Sequence, residues 1–220
     1  MPARIPIPNN VYQISPEKSE ILGYLAAEGE IKERKRFRRG NDRKGFRLQK
    51  EKYAFFTNLN PALISKFQDD VAIVYDFRPF YDVRKKRCTI RRIAIIEDLE
   101  KYGKVTSMEW SIPKEILKSL MCLRAWLRAF FDGEAHVEND EKWRHRRIVM
   151  FSKNLAGLYQ IKKALIKFGI KASVYPKTHK LIISRFGNLA GYENCIGFNH
   201  PKKNETLRTI LGVDRGRSAL

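Results

Sequence analysis

The chain has few cysteines and no long apolar run. Its three cysteines among 220 residues are widely separated and odd in number, which argues against a disulfide framework or a cysteine-rich zinc site and favours a reducing compartment. The first 15 residues contain three prolines but no apolar run behind a basic segment, so a secretory signal is not expected. No stretch approaches the ~20 apolar residues of a membrane span. These absences predict a soluble, cytoplasmic protein without a membrane partner.

Acidic residues are too few to balance the basic ones. The chain has 44 lysines and arginines against 24 aspartates and glutamates, a net charge of +20 at pH 7. A polyanion is therefore the expected ligand. With 13 Phe, 9 Tyr and 3 Trp, the chain is apolar enough to build a folded core and is not a disordered basic tail. The four histidines show neither HxxxH spacing nor cysteine partners, so a zinc site is not expected.

What the chain does contain is an internal repeat. The segment GYLAAEGEI at 23–31 returns at 129–137 as AFFDGEAHV, at one constant offset. In each copy a small residue follows another four positions later, Gly23 and Ala27 in the first and Ala129 and Gly133 in the second. A helix places such pairs on one face, and two faces without bulky side chains let two helix backbones approach closely. The repeat predicts two similar halves joined by a close helix pair.

A glutamate follows each pair of small residues, Glu28 in the first copy and Glu134 in the second. If the two helices pack side by side, both carboxylates emerge at the same end of the pair. A helix C-terminus disfavours a carboxylate by roughly 0.3–1 kcal/mol, and a second carboxylate adds repulsion. Divalent cations offset both effects, and paired ions can stabilise the attacking and leaving oxygens of a phosphodiester. The repeat predicts a metal-dependent nuclease, with two merely exposed glutamates as the simpler alternative.

A coarse secondary-structure assignment predicts an α+β fold in which each half runs helix, two strands, helix, two strands, helix. Caps, breakers and side-chain alternation place the first half's elements at 16–27, 30–38, 45–57, 61–68, 71–77, 87–91 and a helix ending near 103, with a turn at 40–42 closing a basic hairpin. The second half's elements fall at 120–133, 135–137, 147–152, 154–168, 172–175, 181–184, 188–195 and 204–211. The predicted halves are residues 1–108 and 109–220.

Three segments resemble a known family. The stretches ILGYLAAEG at 21–29 and LRAFFDGEA at 127–135 are similar to the nine-letter motif of the LAGLIDADG homing endonucleases, and IGFNHPKK at 196–203 is similar to their C-terminal signature. The resemblance is to the single-chain form with two motifs. It implies two pseudo-symmetric, saddle-shaped αββαββα halves whose motif helices meet at a pseudo-twofold axis and whose antiparallel strands lie in the DNA major groove.

The same resemblance implies the metal site and its product. The last acid of each motif binds the catalytic metals together with the backbone carbonyl before it, which here means Glu28 with Ala27 and Glu134 with Gly133. The expected cofactor is Mg²⁺, with Mn²⁺ as a substitute, and the expected product has short 3′ overhangs. Two departures stand out: Ala135 replaces a glycine, which predicts strain if the position needs a positive φ, and Asp132 has only Ala26 as its counterpart. For Asp132, a surface or helix-end hydrogen bond is as acceptable as a metal role.

Basic side chains are expected beside the metals, because homing endonucleases use such groups to orient water or stabilise the leaving phosphate. The ends of the fourth strands supply candidates, Arg91 or Arg92 in the first half and Lys180 or Arg185 in the second. Asn58 and Lys153 are predicted to position water. A plain phosphate contact or a solvated charge is the alternative for each of these residues.

DNA reading is predicted from the basic strands. Arginine can bond guanine through two atoms and glutamine can bond adenine, so alternation along a strand in the major groove gives a ladder of readers. The remaining lysines should mostly contact phosphates. The predicted DNA contacts are Lys32, Arg34, Arg36, Arg38, Arg43, Arg47, Gln49, Arg78, Arg84, Arg144, Arg146 and Lys177.

These features predict a monomeric, Mg²⁺-dependent, site-specific double-strand DNA endonuclease that promotes intron mobility. An RNA maturase that uses the same fold to assist intron splicing is the alternative, with intron RNA as its partner, and loss of the acidic pair would favour it. A noncatalytic DNA-binding regulator is a third hypothesis, for which an appended helix-turn-helix domain would be the sign. Both glutamates are present, and no such domain is recognised in the sequence.

Overall fold

The computed structural model describes residues 13–39, 46–103, 109–140, 142–143 and 145–212, with the backbone alone described for 36–39 and 46–49. The first half contains seven elements: α1 Pro16–Glu28, β1 Gly29–Arg39, β2 Phe46–Thr57, α2 Pro61–Tyr75, β3 Phe80–Asp82, β4 Arg87–Ile90 and α3 Ile93–Glu100. The second half repeats this order and adds a helix: α4 Leu120–Glu134, β5 Ala135–Asp140, β6 His145–Phe151, α5 Leu155–Ile166, β7 Ala172–Tyr175, β8 Lys180–Ser184, α6 Phe186–Cys195 and α7 Pro201–Leu211.

Each half has its own antiparallel sheet of four strands. The strand orders are β1-β2-β4-β3 and β5-β6-β8-β7, so the two sheets share one topology. The predicted α+β class with two αββαββα halves is confirmed. The predicted boundary at 108/109 adjoins residues 104–108, which lie outside the described ranges together with the predicted turn at 40–42, so both stay predictions.

The two motif helices begin at serine caps. The Ser15 Oγ accepts the Lys18 N–H at 3.1 Å, and Pro16 occupies the first helical position, where a missing N–H has no cost. In the second half the Ser119 Oγ accepts the Cys122 N–H at 3.4 Å. Helices α1 and α4 therefore start from equivalent caps and run as a pair.

Small residues let α1 and α4 touch along their length. A Cβ added to Gly23 would lie 2.5 Å from the Trp126 carbonyl oxygen and 2.9 Å from the Ala129 Cβ. A Cβ added to Gly133 would lie 2.6 Å from the Ala27 Cβ. These distances leave no room for a side chain at either glycine, so the spacing of small residues seen in the repeat does bring the two helix backbones together.

Aromatic rings fill the core of each half under its sheet. In the first half the Tyr24 and Phe67 rings lie 5.1 and 5.0 Å from the Phe56 ring of β2. In the second half Trp126 and Phe130 of α4 stack at 4.8 Å between centroids. Alternate strand residues point into these cores, so the residues between them form an outer face on each sheet.

One predicted strand is wrong. Residues 71–77 were expected to form the third strand, but α2 continues to Tyr75 and β3 lies at Phe80–Asp82. The run from Val71 to Tyr75 is rich in residues that favour strands, yet Phe67, Val71 and Tyr75 are buried at helical spacing. Tertiary packing decides the conformation, and Asp76 ends the helix with a φ of 47°.

The strain expected at Ala135 is also wrong. Ala135 has φ −94° and ψ 158°, and its counterpart Gly29 has φ −110° and ψ 172°. Both residues are extended and begin a strand directly after the glutamate. The motif helices therefore end in the same way, and no positive φ is needed.

Within the described ranges, no helix is both long and apolar enough to span a membrane.

Candidate active site

The two motif glutamates lie side by side where the paired helices end. Glu28 is the last residue of α1 and Glu134 the last residue of α4. A Cβ added to Gly133 would lie 3.2 Å from the Glu28 Cγ and 3.6 Å from its carboxyl carbon, so the side chain of one half reaches over the motif of the other. The close packing of α1 and α4 thus brings the two glutamates of the sequence repeat together as a pair of carboxylates.

Burial acts on both carboxyl groups. It raises the pKa of Glu28, while a hydrogen bond from the Asn58 Nδ2 and the charge of Lys203 oppose the rise. Burial likewise raises the pKa of Glu134, to about 7, with the nearby Glu28 charge adding to the effect and Lys203 opposing it. Among the described residues no donor is hydrogen-bonded to the Glu134 carboxylate. The charge of Lys203 therefore does not offset the effect of burial on the pair, and the pKa rise is larger at Glu134, which within the described ranges has no hydrogen bond like that from Asn58 to Glu28.

Lys203 is the basic residue that the structure brings to this pair. It lies in the first turns of α7, and its ammonium donates to the Phe131 carbonyl at 3.3 Å and to the Asp132 carbonyl. Those carbonyls belong to the last turn of α4, where the Phe131 carbonyl also accepts the Ala135 N–H. Burial lowers the Lys203 pKa, while the charges of Asp132, Glu28 and Glu134 oppose the change. Lys203 was not among the predicted site residues, although it ends the signature at 196–203.

The same signature at 196–203 makes hydrogen bonds to both motif helices. Asp132 is only 1% exposed, and its carboxylate accepts the backbone N–H groups of Asn199 at 3.2 Å and His200 at 2.9 Å. The Asn199 amide donates to the Tyr24 hydroxyl at 2.9 Å and to Glu20 at 3.0 Å, both on α1. Asp132 is therefore a buried acceptor that positions the segment before α7, not a surface group.

The predicted water-positioning residues are placed differently from each other. Asn58 follows β2, donates to Glu28, and accepts the Asn60 N–H at 2.7 Å, so its side chain is oriented on both sides. Lys153 is exposed and lies one residue beyond Ser152, which the register of the second sheet makes the counterpart of Asn58. Of the two, Asn58 contacts a motif glutamate directly.

The predicted basic catalytic residues lie near the fourth strands, and their described contacts are with groups other than the two glutamates. The Lys180 ammonium lies over the Phe151 ring, 4.8 Å from its centroid, and the Arg92 guanidinium lies 4.3 Å from the centre of the Phe77 ring. Arg91 is exposed between β4 and α3. Arg185 begins α6 with a φ of 72°, and its carbonyl accepts the N–H of Leu189. Each lies near a fourth strand as predicted, whereas Lys203 reaches the glutamates from α7.

The predicted readers of β1 lie on the outer face of the first sheet. Lys32 is paired with Tyr53 and Arg34 with Glu51, opposite in parity to the buried Ala54 and Phe56. Both basic side chains are exposed. Arg36, Arg38, Arg47 and Gln49 continue the two strands with described backbones, while Arg43 and Arg144 lie outside the described residues.

Four further predicted contacts are placed at turns or on the other strand face. Arg78 pairs with Asp69, Arg84 lies in the β3–β4 turn, and Lys177 lies in the short helix between β7 and β8. On β6, Arg146 has the parity of the core residue Ile148, so its neighbour Arg147 is the one on the outer face. The Arg147 guanidinium is held by Glu138 at 2.5 Å. The sequence signal for Arg147 as an outer-face residue is its alternation with the apolar residues Ile148 and Met150.

Comparison with known proteins agrees with this arrangement. Residues 121–194, from α4 into α6, match the model of the LAGLIDADG-like domain family. The solved structure of the LAGLIDADG homing endonuclease I-LtrWI bound to target DNA superposes with a TM-score of 0.54 at 11% identity, covering 93% of this chain and 92% of that one. The homing endonuclease I-GzeII in complex with its DNA target gives 0.53 at 11% identity, covering 94% and 93%. No curated protein matches the sequence significantly.

A second kind of protein shares the fold. Full-length DUF199/WhiA from Thermotoga maritima superposes with a TM-score of 0.54 at 15% identity, covering 96% of this chain and 66% of WhiA. The chain has the homing endonuclease fold in its single-chain form, with two halves. The match of residues 121–194 to the LAGLIDADG-like domain model confirms the resemblance stated from the motifs.

The raised pKa of Glu134 predicts a pH-dependent stability for the metal-free protein. Its folded pKa of about 7 lies above the ordinary value of 4.5, so this residue's contribution is most favourable below pH 4.5 and is lost as the pH rises through 7. Glu134→Gln should therefore stabilise the fold by about 1–2 kcal/mol more at pH 8 than at pH 5. Denaturant unfolding in EDTA at the two pH values measures this.

Glu138→Gln is the matched control for that measurement. Burial raises the pKa of Glu138, but hydrogen bonds from Arg147 and His136 outweigh it and leave the pKa lowered. Its substitution should therefore destabilise the fold above pH 4.5, opposite in sign to Glu134→Gln. An equal effect of Glu134→Gln at both pH values would contradict the described environment of Glu134.

Proposed function

We propose that this protein is a site-specific, divalent-metal-dependent DNA endonuclease of the homing type. The observation that carries the proposal is the pair Glu28 and Glu134, brought together at the ends of two close-packed helices beside the partly buried Lys203. Two carboxylates forced together without enough positive charge fit a site for divalent cations. Promotion of intron mobility is part of the proposal.

The donors around the pair suit Mg²⁺, with Mn²⁺ as a substitute. Within the described residues no group of three or more His, Cys, Asp and Glu forms a metal cluster, so two carboxylates are the acidic contribution of this site. Mg²⁺ is commonly held by one or two carboxylates, while water and substrate phosphates complete its octahedron. Glu28 and Glu134 would hold the ions, with the carbonyls of Ala27 and Gly133 as the remaining protein ligands. Bound ions would supply Lewis-acid stabilisation of phosphodiester oxygens.

Side chains of this protein are proposed to orient the metal ligands and to neutralise charge around the phosphate. Asn58 fixes the orientation of the Glu28 carboxylate through its amide. The Lys203 ammonium, held against the carbonyl end of α4, is placed to neutralise charge that develops on the scissile phosphate. Lys180, Arg185 and Arg91 remain proposed as basic groups that contact the DNA backbone near the cut.

The outer faces of the two sheets are proposed to bind duplex DNA. They carry exposed basic residues of β1, and the whole chain has a net charge of +20. The two faces differ in sequence, since Lys32 of β1 has Glu138 as its counterpart on β5. A single chain with two unlike faces suits a long asymmetric target read by a monomer.

The fold alone does not decide between cleavage and other uses of nucleic acid, because one fold supports many functions. The WhiA structure shows that the same arrangement occurs outside the homing endonucleases. What favours cleavage here is the retention of an acid at both motif ends, with burial and mutual repulsion that a cation would relieve. Assistance of intron splicing remains the second candidate.

A neighbouring pair of arginines tests the proposed reading face. Arg147→Ala should relax sequence preference at one target position, because this side chain lies on the outer face, with a loss of about 1–3 kcal/mol against the preferred base. Arg146→Ala has the same change of charge on the opposite face and should leave the preference unchanged. Cleavage profiling on a library of single-base target variants measures both.

Equal relaxation by the two arginine variants would show that β6 is not read through its outer face. A uniform loss of cleavage on every target variant with Arg147→Ala would instead assign that residue to phosphate contact.

The proposed function is tested by incubating purified protein with a randomised duplex library in Mg²⁺ and, separately, in EDTA, followed by sequencing of the cut ends. Metal-dependent cutting at one long site with short 3′ overhangs is expected. Absence of cutting across a range of temperatures with Mg²⁺ or Mn²⁺, together with specific binding of structured RNA, would favour the splicing alternative.

A further inference from the structure

A chain of hydrogen bonds crosses between the two halves beside the glutamates. In the first half, the Asn58 Nδ2 donates to Glu28, and the Asn58 Oδ1 accepts the N–H of Asn60 at 2.7 Å. The Asn60 Nδ2 then lies 3.1 Å from the Nε2 of His200, which belongs to the second half. His200 is the residue from which α7 starts, and α7 carries Lys203. The two sides of the site are thus joined through two asparagines and one histidine.

The direction of the Asn60–His200 bond is fixed by the Asn60 cap. The Asn60 Oδ1 accepts the Ala62 N–H at 2.9 Å and caps α2, so the Nδ2 must be the atom that faces His200. An amide nitrogen can only donate, and the His200 Nε2 is therefore the acceptor. This requires an unprotonated Nε2, which a neutral imidazole provides.

The surroundings of His200 agree with a neutral ring. A neutral ring accepts at only one nitrogen, and the 3.1 Å contact from Asn60 to Nε2 is shorter than the 3.4 Å approach of the Lys203 backbone N–H to Nδ1. The Nε2 is therefore the acceptor and the Nδ1 carries the ring proton. Burial lowers the pKa of His200, and the charges of Lys203 and Lys202 lower it further. The carboxylate of Asp132 accepts the His200 backbone N–H at 2.9 Å.

We propose that His200 is a positioning residue that, through Asn60 and Asn58, holds Glu28 in register with the α7 helix of the other half. The link runs from His200 to the Asn60 side chain, from the Asn60 N–H to the Asn58 side chain, and from there to the Glu28 carboxylate. Its role in cleavage rests on the proposed function. The existence of the link does not.

Three substitutions separate the Asn60–His200 hydrogen bond from the helix caps. Asparagine at position 200 is a preferred cap for α7 and puts its amide at the place of Nδ1, but it is too short to reach Asn60. Glutamine carries its amide oxygen to the place of Nε2 and restores the acceptor that Asn60 needs. Asn60→Ser is the reciprocal change, since serine caps α2 but is too short to bring its hydroxyl to His200.

The first test uses ¹⁵N-labelled protein without metal or DNA and follows the side-chain NH₂ resonances of Asn58. His200→Asn and Asn60→Ser should shift these resonances, while His200→Gln should leave them near the wild-type position. Unmoved Asn58 resonances in both His200→Asn and Asn60→Ser would overturn the proposal. So would His200→Gln behaving like His200→Asn.

The second test measures cleavage of the duplex recovered from the library by the wild-type protein. His200→Asn should lower kcat at least tenfold with KM unchanged, and His200→Gln should stay within about threefold of the wild type. Equal activity of His200→Asn and the wild type would overturn the role in cleavage. If the wild type cuts no duplex, the proposed function fails. The resonance shifts of Asn58 still establish or overturn the link from His200 to Glu28.

Discussion

Replacing Glu28 or Glu134 by glutamine is expected to abolish double-strand cleavage. Each substitution keeps the shape of the side chain and removes the charge that a divalent ion requires. The loss of metal-held stabilisation should lower the rate roughly 10³-fold or more, equivalent to about 4 kcal/mol in the barrier. Single-turnover cleavage of the selected duplex in Mg²⁺ measures it.

Glu30→Gln is the matched control for these variants. Glu30 lies two residues beyond Glu28 on the outer face of β1, where it pairs with Lys32 at 2.8 Å. The same change of charge there should leave the cleavage rate within a few fold. Binding of the duplex in Ca²⁺ should survive in all three variants. Loss of binding by Glu28→Gln or Glu134→Gln would mean that these carboxylates are structural.

Lys203→Met is expected to have the second largest effect, a fall in kcat of roughly 10²-fold with little change in duplex affinity. Methionine keeps much of the apolar stem and removes the ammonium that faces the glutamates and the carbonyl end of α4. Removing a preorganised charge beside the reacting phosphate typically costs 10²–10³ in rate. A full kinetic comparison separates kcat from KM.

The adjacent Lys202 provides the control for that variant. Lys202 is exposed on the same turn of α7, so Lys202→Met changes the net charge equally without touching the pair. Its effect should be limited to weaker binding that varies with salt. An equal fall in kcat for both lysine variants would contradict the special position of Lys203. A fall in kcat for Lys180→Met alone would assign the basic catalytic role to Lys180 instead.

The acidic half of the site could be predicted because it is encoded locally. Four-residue spacing of small residues places Gly23 and Gly133 on helix faces, and each glutamate follows directly along the chain. Periodicity therefore suffices to bring Glu28 and Glu134 to one place. The basic half is encoded at a distance, since Lys203 reaches the pair only because α7 packs beside the end of α4. No spacing in the sequence connects them.

Other differences between the sequence predictions and the structure also arise from tertiary packing, which no local spacing encodes. Residues 71–77 were assigned to a strand because Val71 and its neighbours favour strands, but burial against the aromatic core makes them helical up to Tyr75. Arg146, predicted as a DNA contact, has the core-side parity of β6, and its neighbour Arg147 lies on the outer face. Parity becomes readable only when Ile148 and Met150 are taken as the core side. Pairings between halves, such as Asn60 with His200, depend on tertiary contacts and have no local signal.

Anomalous diffraction from Mn²⁺ in crystals of the protein with its selected duplex tests the central claim most directly. Manganese peaks are expected between the carboxylates of Glu28 and Glu134, next to the scissile phosphates, with the carbonyls of Ala27 and Gly133 among the ligands. Peaks that bypass both glutamates, or a duplex whose phosphates lie away from them, would contradict a nuclease centre at the paired motif helices.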